Sequence, residues 1–374
     1  MTTTVPGTTE TAALGEVSGI HPPHVPLTGG SLPRGTVWMV LVCGWLFAGA
    51  FFALLWAADI TTTFSLVGTV FFGTVLFDIV LYVISRIVEG ARRAKDRLVT
   101  SLVSTAFVIA LLPLVSLIWT VVLGGLARLD VAFFTQSMRN IVGEGGGALH
   151  AIIGTLLITL AAAIISVPIG LLTSIYLVEY GRGPFARAIT FLVDVMTGIP
   201  SIVAGLFVFA LFALIAGPAV RNGFMGAVAL SVLMIPVVVR SSEEILRLVP
   251  NELREASYAL GVPKWLTILK IVLPTSLAGI VTGVMLAIAR VIGETAPLLL
   301  VTGFTFSMNY NLFDDRMMTL PVFVYTQYTQ AAGVSAQASI DRAWTAALTL
   351  IVIMLVLNLA GRLIAKIFAP KRGL

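Results

Sequence analysis

The stretch Glu255-Ala256-Ser257-Tyr258-Ala259-Leu260-Gly261, followed after nine residues by Ile271-Val272-Leu273-Pro274, lies between two long apolar runs. Arg240, Glu243, Glu244, Arg247, Glu252, Arg254, Glu255, Lys264 and Lys270 crowd around it, in a chain with only 23 Lys and Arg and 18 Asp and Glu. That density marks a segment in water whose flanks are in lipid. Asn251 follows Pro250 and is placed to cap a helix that starts at Glu252, with Glu255 close to the same positive helix end. Leu253, Ala256, Ser257 and Leu260 recur at helical spacing and share a face. Gly261 supplies a stop and Pro263 lies just beyond it. A second amphipathic turn carries Trp265, Ile268, Leu269 and Val272 on one side and Lys264, Thr267 and Lys270 on the other. Pro274 is expected to break the chain before the next apolar run. Neither helix is long enough to cross a membrane, and the small residues Ala256, Ser257 and Ala259 permit close approach of another surface. The segment reads as a docking element.

Working outward, the chain is 58% hydrophobic and 11% charged, against about a quarter charged in soluble domains. The apolar runs are long and unbroken, which points to an all-α polytopic membrane protein and away from a barrel of short alternating strands. The single cysteine, Cys43, excludes a disulfide framework or a cysteine metal cluster. The net charge of +5 reads as membrane topology, because the basic residues flank apolar spans. Eight spans are expected, at 36–57, 66–85, 99–123, 149–178, 188–216, 224–240, 276–303 and 344–368. Arg86, Arg92, Arg93, Lys95 and Arg97 place the linker after the second span in the cytoplasm. Alternation then puts both termini, Arg182 and Arg187, the Glu255 segment and the tail with Lys366, Lys371 and Arg372 inside. The loops 124–148, 217–223 and 304–343 lie outside. Residues 1–33, rich in Thr, Gly and Pro, read as a disordered cytoplasmic tail, and His21 and His24 in it as solvated rather than metal-binding. Residues 34–98 form an accessory transmembrane hairpin with its basic linker, 99–368 a transmembrane domain with the loop 240–275, and 369–374 a cytoplasmic tail.

Polar groups inside the spans carry the remaining signal. Asp78 reads as a structural contact, with a functional role as the alternative. In the fifth span, Asp194 precedes Gly198-Ile199-Pro200-Ser201, and Gly198 and Pro200 predict a kink. That kink either borders a substrate path or serves packing alone. The seventh span contains Ala289-Arg290-Val291-Ile292-Gly293-Glu294-Thr295-Ala296-Pro297. An Arg at bilayer depth costs about 2.5–3.5 kcal/mol on insertion scales, so it needs a partner or a wet cavity. On a continuous helix Arg290 and Glu294 would reach one another, on the small-residue face of Gly279, Gly283 and Ala287. Arg290 then either faces an anion pathway or forms a plain ion pair that holds the bundle. Glu294 would hold or gate it rather than bind an anion.

The spacing Glu-Ala-x-x-x-x-Gly, nine residues, Ile-x-Leu-Pro resembles the EAA loop of ABC-importer permeases, with Ser257 in place of the second Ala. In that family the loop is a coupling helix seated in a cytoplasmic ATPase, which implies coupling roles for Glu255, Ala256, Gly261, Ile271, Leu273 and Pro274. Arg-x-x-Gly-Glu-Thr-Ala-Pro is similar to the signature of PstA-type phosphate ABC-transporter permeases. The similarity extends to Gly146-Gly147-x-x-His150-Ala151-Ile152-x-Gly154-Thr155-Leu156, Thr197-Gly198-Ile199-Pro200-Ser201 and Met318-Thr319-Leu320-Pro321-Val322, and covers about residues 95–368. It implies a type I importer core of six transmembrane helices, the N-terminal hairpin being additional. It also implies a pore subunit with Arg290, Glu294 and Thr295 on the substrate pathway. The implied partners are a PstC-type sister permease, a PstB-type ATPase dimer and an extracytoplasmic phosphate-binding protein in the cell membrane. No Gly-x-x-x-x-Gly-Lys-Ser/Thr occurs, so ATP is expected on the partner, with no cofactor, metal or catalytic residue on this chain. The competing readings are a permease of the same fold for phosphonate or molybdate, a stand-alone secondary transporter, and an intramembrane enzyme using Glu294, Asp194 or Asp78.

Overall fold

The computed structural model describes residues 32–33, 35–60 and 63–368. The tails expected at 1–33 and 369–374 lie outside it except for Leu32 and Pro33. Every regular element among the described residues is helical. Seven helices are long and apolar enough to cross a membrane, or eight if one bent pair is a single span. The chain divides into two compact units, Met1–Val115 and Ser116–Leu374.

In the first unit, α1 (Thr36–Ala57) packs against α2 (Leu66–Val88) around Val40, Phe77 and Leu81. Ser65 caps α2, its Oγ accepting from the Gly68 amide at 3.1 Å. Asp78 accepts a hydrogen bond from Ser101 of α3 (Ala91–Gly125), a structural contact for an acid inside a span. Of the basic residues expected in a linker, Arg86 lies in the last turn of α2, and Arg92, Arg93, Lys95 and Arg97 lie in the first turns of α3. Glu89, between α2 and α3, is buried. It accepts from both Arg97 nitrogens at 2.6 and 2.8 Å, from Ser85 Oγ at 2.8 Å and from the Leu32 amide at 2.9 Å. The Arg97 bonds, foremost, hold its carboxyl down at about 2.

The second unit is built on α8 (Gly223–Arg247), two thirds of whose apolar window is buried. Asn222 caps it, Oδ1 accepting from the Met225 amide at 2.9 Å. Against α8 pack α5 (Leu149–Ile175) and α11 (Leu273–Val291), with α14 (Ala336–Phe368) on the far side of α11. Close approach depends on small residues: a Cβ on Gly170 would strike Val238, and one on Gly283 would strike Ser241. The core they enclose includes Ile158, Leu230, Met234, Ala287, Leu298 and Phe323. α4 (Val131–Thr135) is a single short turn capped by Asp130.

The kink expected within the run 188–216 is present, since α6 (Pro184–Thr197) and α7 (Ser201–Ala216) meet at 108° across Gly198-Ile199-Pro200, but three other expectations need correction. Pro200 supplies no N–H for a continuing helix, and the residue before it is biased out of the helical region. The run 276–303 is also broken, since α11 stops at Val291 and α12 (Ala296–Val301) starts after a turn. Pro274, by contrast, breaks nothing. A widened π turn over Ile268–Val272 joins α10 (Lys264–Thr267) to α11, and it accommodates the proline that a regular turn would clash with. The loop 304–343 contains α13 (Leu320–Thr329), whose Leu320, Val322 and Phe323 are wholly buried. It is too short to span, but it is part of the core.

Candidate functional site

The segment expected to dock consists of α9 (Asn251–Ala259), the left-handed Gly261 at φ +73° and α10. Asn251 does not cap α9 through its side chain; it is the first helical residue, and its Oδ1 accepts from Arg254 at 3.2 Å. Pro250 precedes the helix with an extended backbone and starts it without a side-chain cap. Arg254 anchors the segment. Its guanidinium pairs with Glu179 at 3.0 Å, both side chains being nearly buried, and donates to the Val249 and Leu246 carbonyls at 2.6 and 3.0 Å. Lys264 donates to the Glu179 carbonyl and lies 4.8 Å from the Tyr180 ring. The buried Ser257 and Thr267 hydroxyls bond at 2.8 Å and lock α9 to α10.

The opposite side of the segment has no cover. Leu260 is 83% exposed and Trp265 58%, while Glu255 and Ala256 are exposed beside them. Of the apolar-side residues the spacing brings together, only Ser257 of α9 faces inward. Ile271 and Leu273 are half-buried in the π turn and the first turn of α11. The charges hold the segment on its own chain, and its apolar residues Leu260 and Trp265 are exposed.

Arg290 and Glu294 are not brought together as one helix face. Arg290 lies in the last turn of α11 and is exposed; Glu294 and Thr295 are half-buried in the turn before α12. None of the ion pairs among the described residues joins them. Gly293 and Pro297 open the helix, and each charge then suits the helix end it is nearest: a cation at the C-terminus of α11, an anion before the N-terminus of α12. Gly279, Gly283 and Ala287 do pack on α8 or within the core, so the charged turn continues a packed helix without being buried by it.

A second charged cluster was not legible as one. Arg240 of α8 pairs with Asp194 of α6 and, at 2.9 Å, with Glu243, which also receives Arg247 at 2.5 Å. An acid in an apolar run needs a partner, and that was the available signal at Asp194; the partner is 46 residues away in sequence. The pair ties α6, just before the 108° break at Gly198 and Pro200, to the central helix, beside an open cavity of about 370 Å³. No group of three or more His, Cys, Asp or Glu among the described residues is arranged to hold a metal.

Comparison with known proteins adds three findings. Residues 166–373 match the family described as binding-protein-dependent transport system inner membrane component. The chain is 48% identical over 286 residues to the phosphate transport system permease protein PstA 1 of Mycobacterium tuberculosis, covering 76% of this chain and 91% of that one. It is 37% identical over 287 residues to the PstA protein of Yersinia pestis, covering 76% and 93%. Among solved structures, a chain of a bacterial alginate ABC transporter in complex with its pentasaccharide-bound periplasmic protein superposes with a TM-score of 0.53 at 14% identity, over 75% of this chain and 97% of that one.

Proposed function

This chain belongs to the PstA-type permeases among the binding-protein-dependent transport system inner membrane components, with the all-α fold of a type I ABC importer permease, and on that premise we propose that its cargo is inorganic phosphate. The observation that carries the proposal is near-full-length similarity to relatives named as phosphate permeases. The chain is a multi-pass membrane pore subunit and not itself the ATPase.

In this reading a PstC-type sister permease completes the pore, an extracytoplasmic phosphate-binding protein delivers the anion, and a PstB-type ATPase dimer binds ATP. Both termini face the cytoplasm. The ATPase receives the exposed apolar face of α9 and α10, while Arg254 and Lys264 transmit its movement to the end of α5 through Glu179. Glu255, Ala256, Gly261, Ile271, Leu273 and Pro274 are the coupling residues. Arg290, Glu294 and Thr295 line the phosphate pathway, where an exposed guanidinium with no carboxylate partner among the described residues is available to an oxyanion. The break at Gly198 and Pro200 serves as a hinge between α6 and α7.

The test begins with co-purification of the assembled transporter and measurement of phosphate-stimulated ATP hydrolysis. Gly261→Val with Glu255→Lys is expected to abolish that stimulation, and unchanged stimulation would remove the docking role. Arg290→Lys should retain part of the uptake that Arg290→Gln loses; equal loss in both would point to bidentate rather than simple electrostatic recognition. Uptake that phosphonate or molybdate blocks better than phosphate would reassign the cargo.

A further inference from the structure

At the end of α8 opposite the docking segment, two arginines converge. Gly303, just past α12, is buried with φ +67°. A Cβ built on it would meet the Arg316 Cδ at 3.2 Å and the Arg221 Cδ at 3.3 Å, so both side chains cross the same point. Both residues are exposed, and among the described residues neither guanidinium forms an ion pair or a hydrogen bond. Asp314 and Asp315 are the neighbouring acids; both are exposed, and Asp315 Oδ1 is occupied by the Arg316 backbone amide at 2.7 Å.

The convergence is built by the fold and is not an accident of two long side chains. The Phe224 amide donates to the Leu312 carbonyl at 2.7 Å, Asn222 Nδ2 to the Phe313 carbonyl at 3.2 Å, and the Met317 amide to the Thr302 carbonyl at 3.3 Å. The Phe224 and Phe313 rings stack with centroids 4.8 Å apart. Asn309 Nδ2 gathers the Asp314 and Arg316 carbonyls at 2.7 and 3.0 Å. Arg221 is further held with its guanidinium carbon 5.7 Å from the Phe209 ring centroid, which leaves its N–H edges open. The two stems thus approach one glycine, and among the described residues neither cation has a carboxylate partner that would compete with an incoming anion.

We propose that Arg221 and Arg316 form an oxyanion-binding site for inorganic phosphate at the outer mouth of the pore, a station before the Arg290–Glu294 turn. The position supports it: Gly303 is chain-continuous with Glu294 and Thr295 through α12, so an anion held there is at the head of the proposed pathway. The donors also suit the ligand. Two guanidinium forks whose stems cross at one glycine serve a small anion with several acceptor oxygens better than they serve an extended surface. The site rests on the phosphate reading above, and its test is chosen to separate the two.

The measurement is 31P line broadening of inorganic phosphate titrated with the complete transporter in lipid nanodiscs, without binding protein or ATP. Saturable broadening is expected for the native complex and for R221K/R316K. In R221Q/R316Q the apparent affinity should fall about tenfold, from loss of charge-assisted bonds. Equal broadening in native and R221Q/R316Q complexes would overturn the site. So would a variant that binds phosphate normally but captures loaded and empty binding protein equally poorly, since the arginines would then dock a protein. A native complex that imports another anion and no phosphate would defeat the phosphate reading itself.

Discussion

The two ends of α8 treat their charges in opposite ways. At the C-terminal end, Arg240, Arg247 and Arg254 all find carboxylates: Asp194, Glu243 and Glu179. At the N-terminal end, about 37 Å away along a 25-residue helix, Arg221 and Arg316 pair with no carboxylate among the described residues. Paired charges transmit force between elements; unpaired ones, held in place by loops, are free to receive a mobile anion. On the proposals above, the work of being driven and the work of meeting the cargo fall at opposite ends of the most buried candidate span among the described residues.

The paired end should be the more sensitive to a single substitution. Arg254→Ala leaves Glu179 buried without a partner, a loss of about 3–5 kcal/mol, so thermal unfolding of the purified protein should shift down sharply and ATPase coupling should disappear. A native-like melting curve would mean that the segment is held by its packing alone. At the unpaired end, Asn222→Ala removes the cap of α8 and the bond to Phe313. An N-cap loss costs about 1–2 kcal/mol, and the variant should weaken phosphate broadening by loosening the Arg316 loop while leaving ATPase docking intact. Weakened docking instead would show that the two ends are not separable.

The smallest effect concerns the hairpin, where Glu89 is paired with Arg97. Its folded carboxyl lies well below the ordinary value near 4.5, so the stability it contributes is fully present above that range and is lost as pH falls through it toward about 2. The contribution of Glu89 to the melting temperature should therefore be full and constant between pH 6 and 8. Between pH 5 and 2 it should fall more steeply in the native protein than in Glu89→Gln; parallel curves would deny the pairing.

The order of the spans, the small-residue stripe of α11 and the two short helices about Gly261 were legible because each is a local pattern: apolar length, helical spacing, a glycine stop at Gly261. What was not legible depends on partners distant in sequence. α13 has only ten residues and no apolar length to announce it, yet Leu320 donates its amide to Thr155 across 165 residues. The break between α11 and α12 was hidden because Arg290 and Glu294 fit an i to i+4 pair equally well, and only the turn at Gly293 decides against it. Pro274 misled in the other direction, since a π turn can absorb a proline that a regular helix cannot. Arg221 and Arg316 sit in loops 95 residues apart in number, and no count of charges shows that their stems cross at Gly303.

The central claim is that this chain passes phosphate only when an ATPase drives it through α9 and α10. It is tested most directly by [32P]phosphate uptake into proteoliposomes that hold the chain with its sister permease and ATPase, with binding protein outside and ATP inside. Uptake is predicted to need ATP and binding protein and to vanish in Glu255→Lys/Gly261→Val. Phosphate uptake by the chain alone, without ATP, would contradict the account.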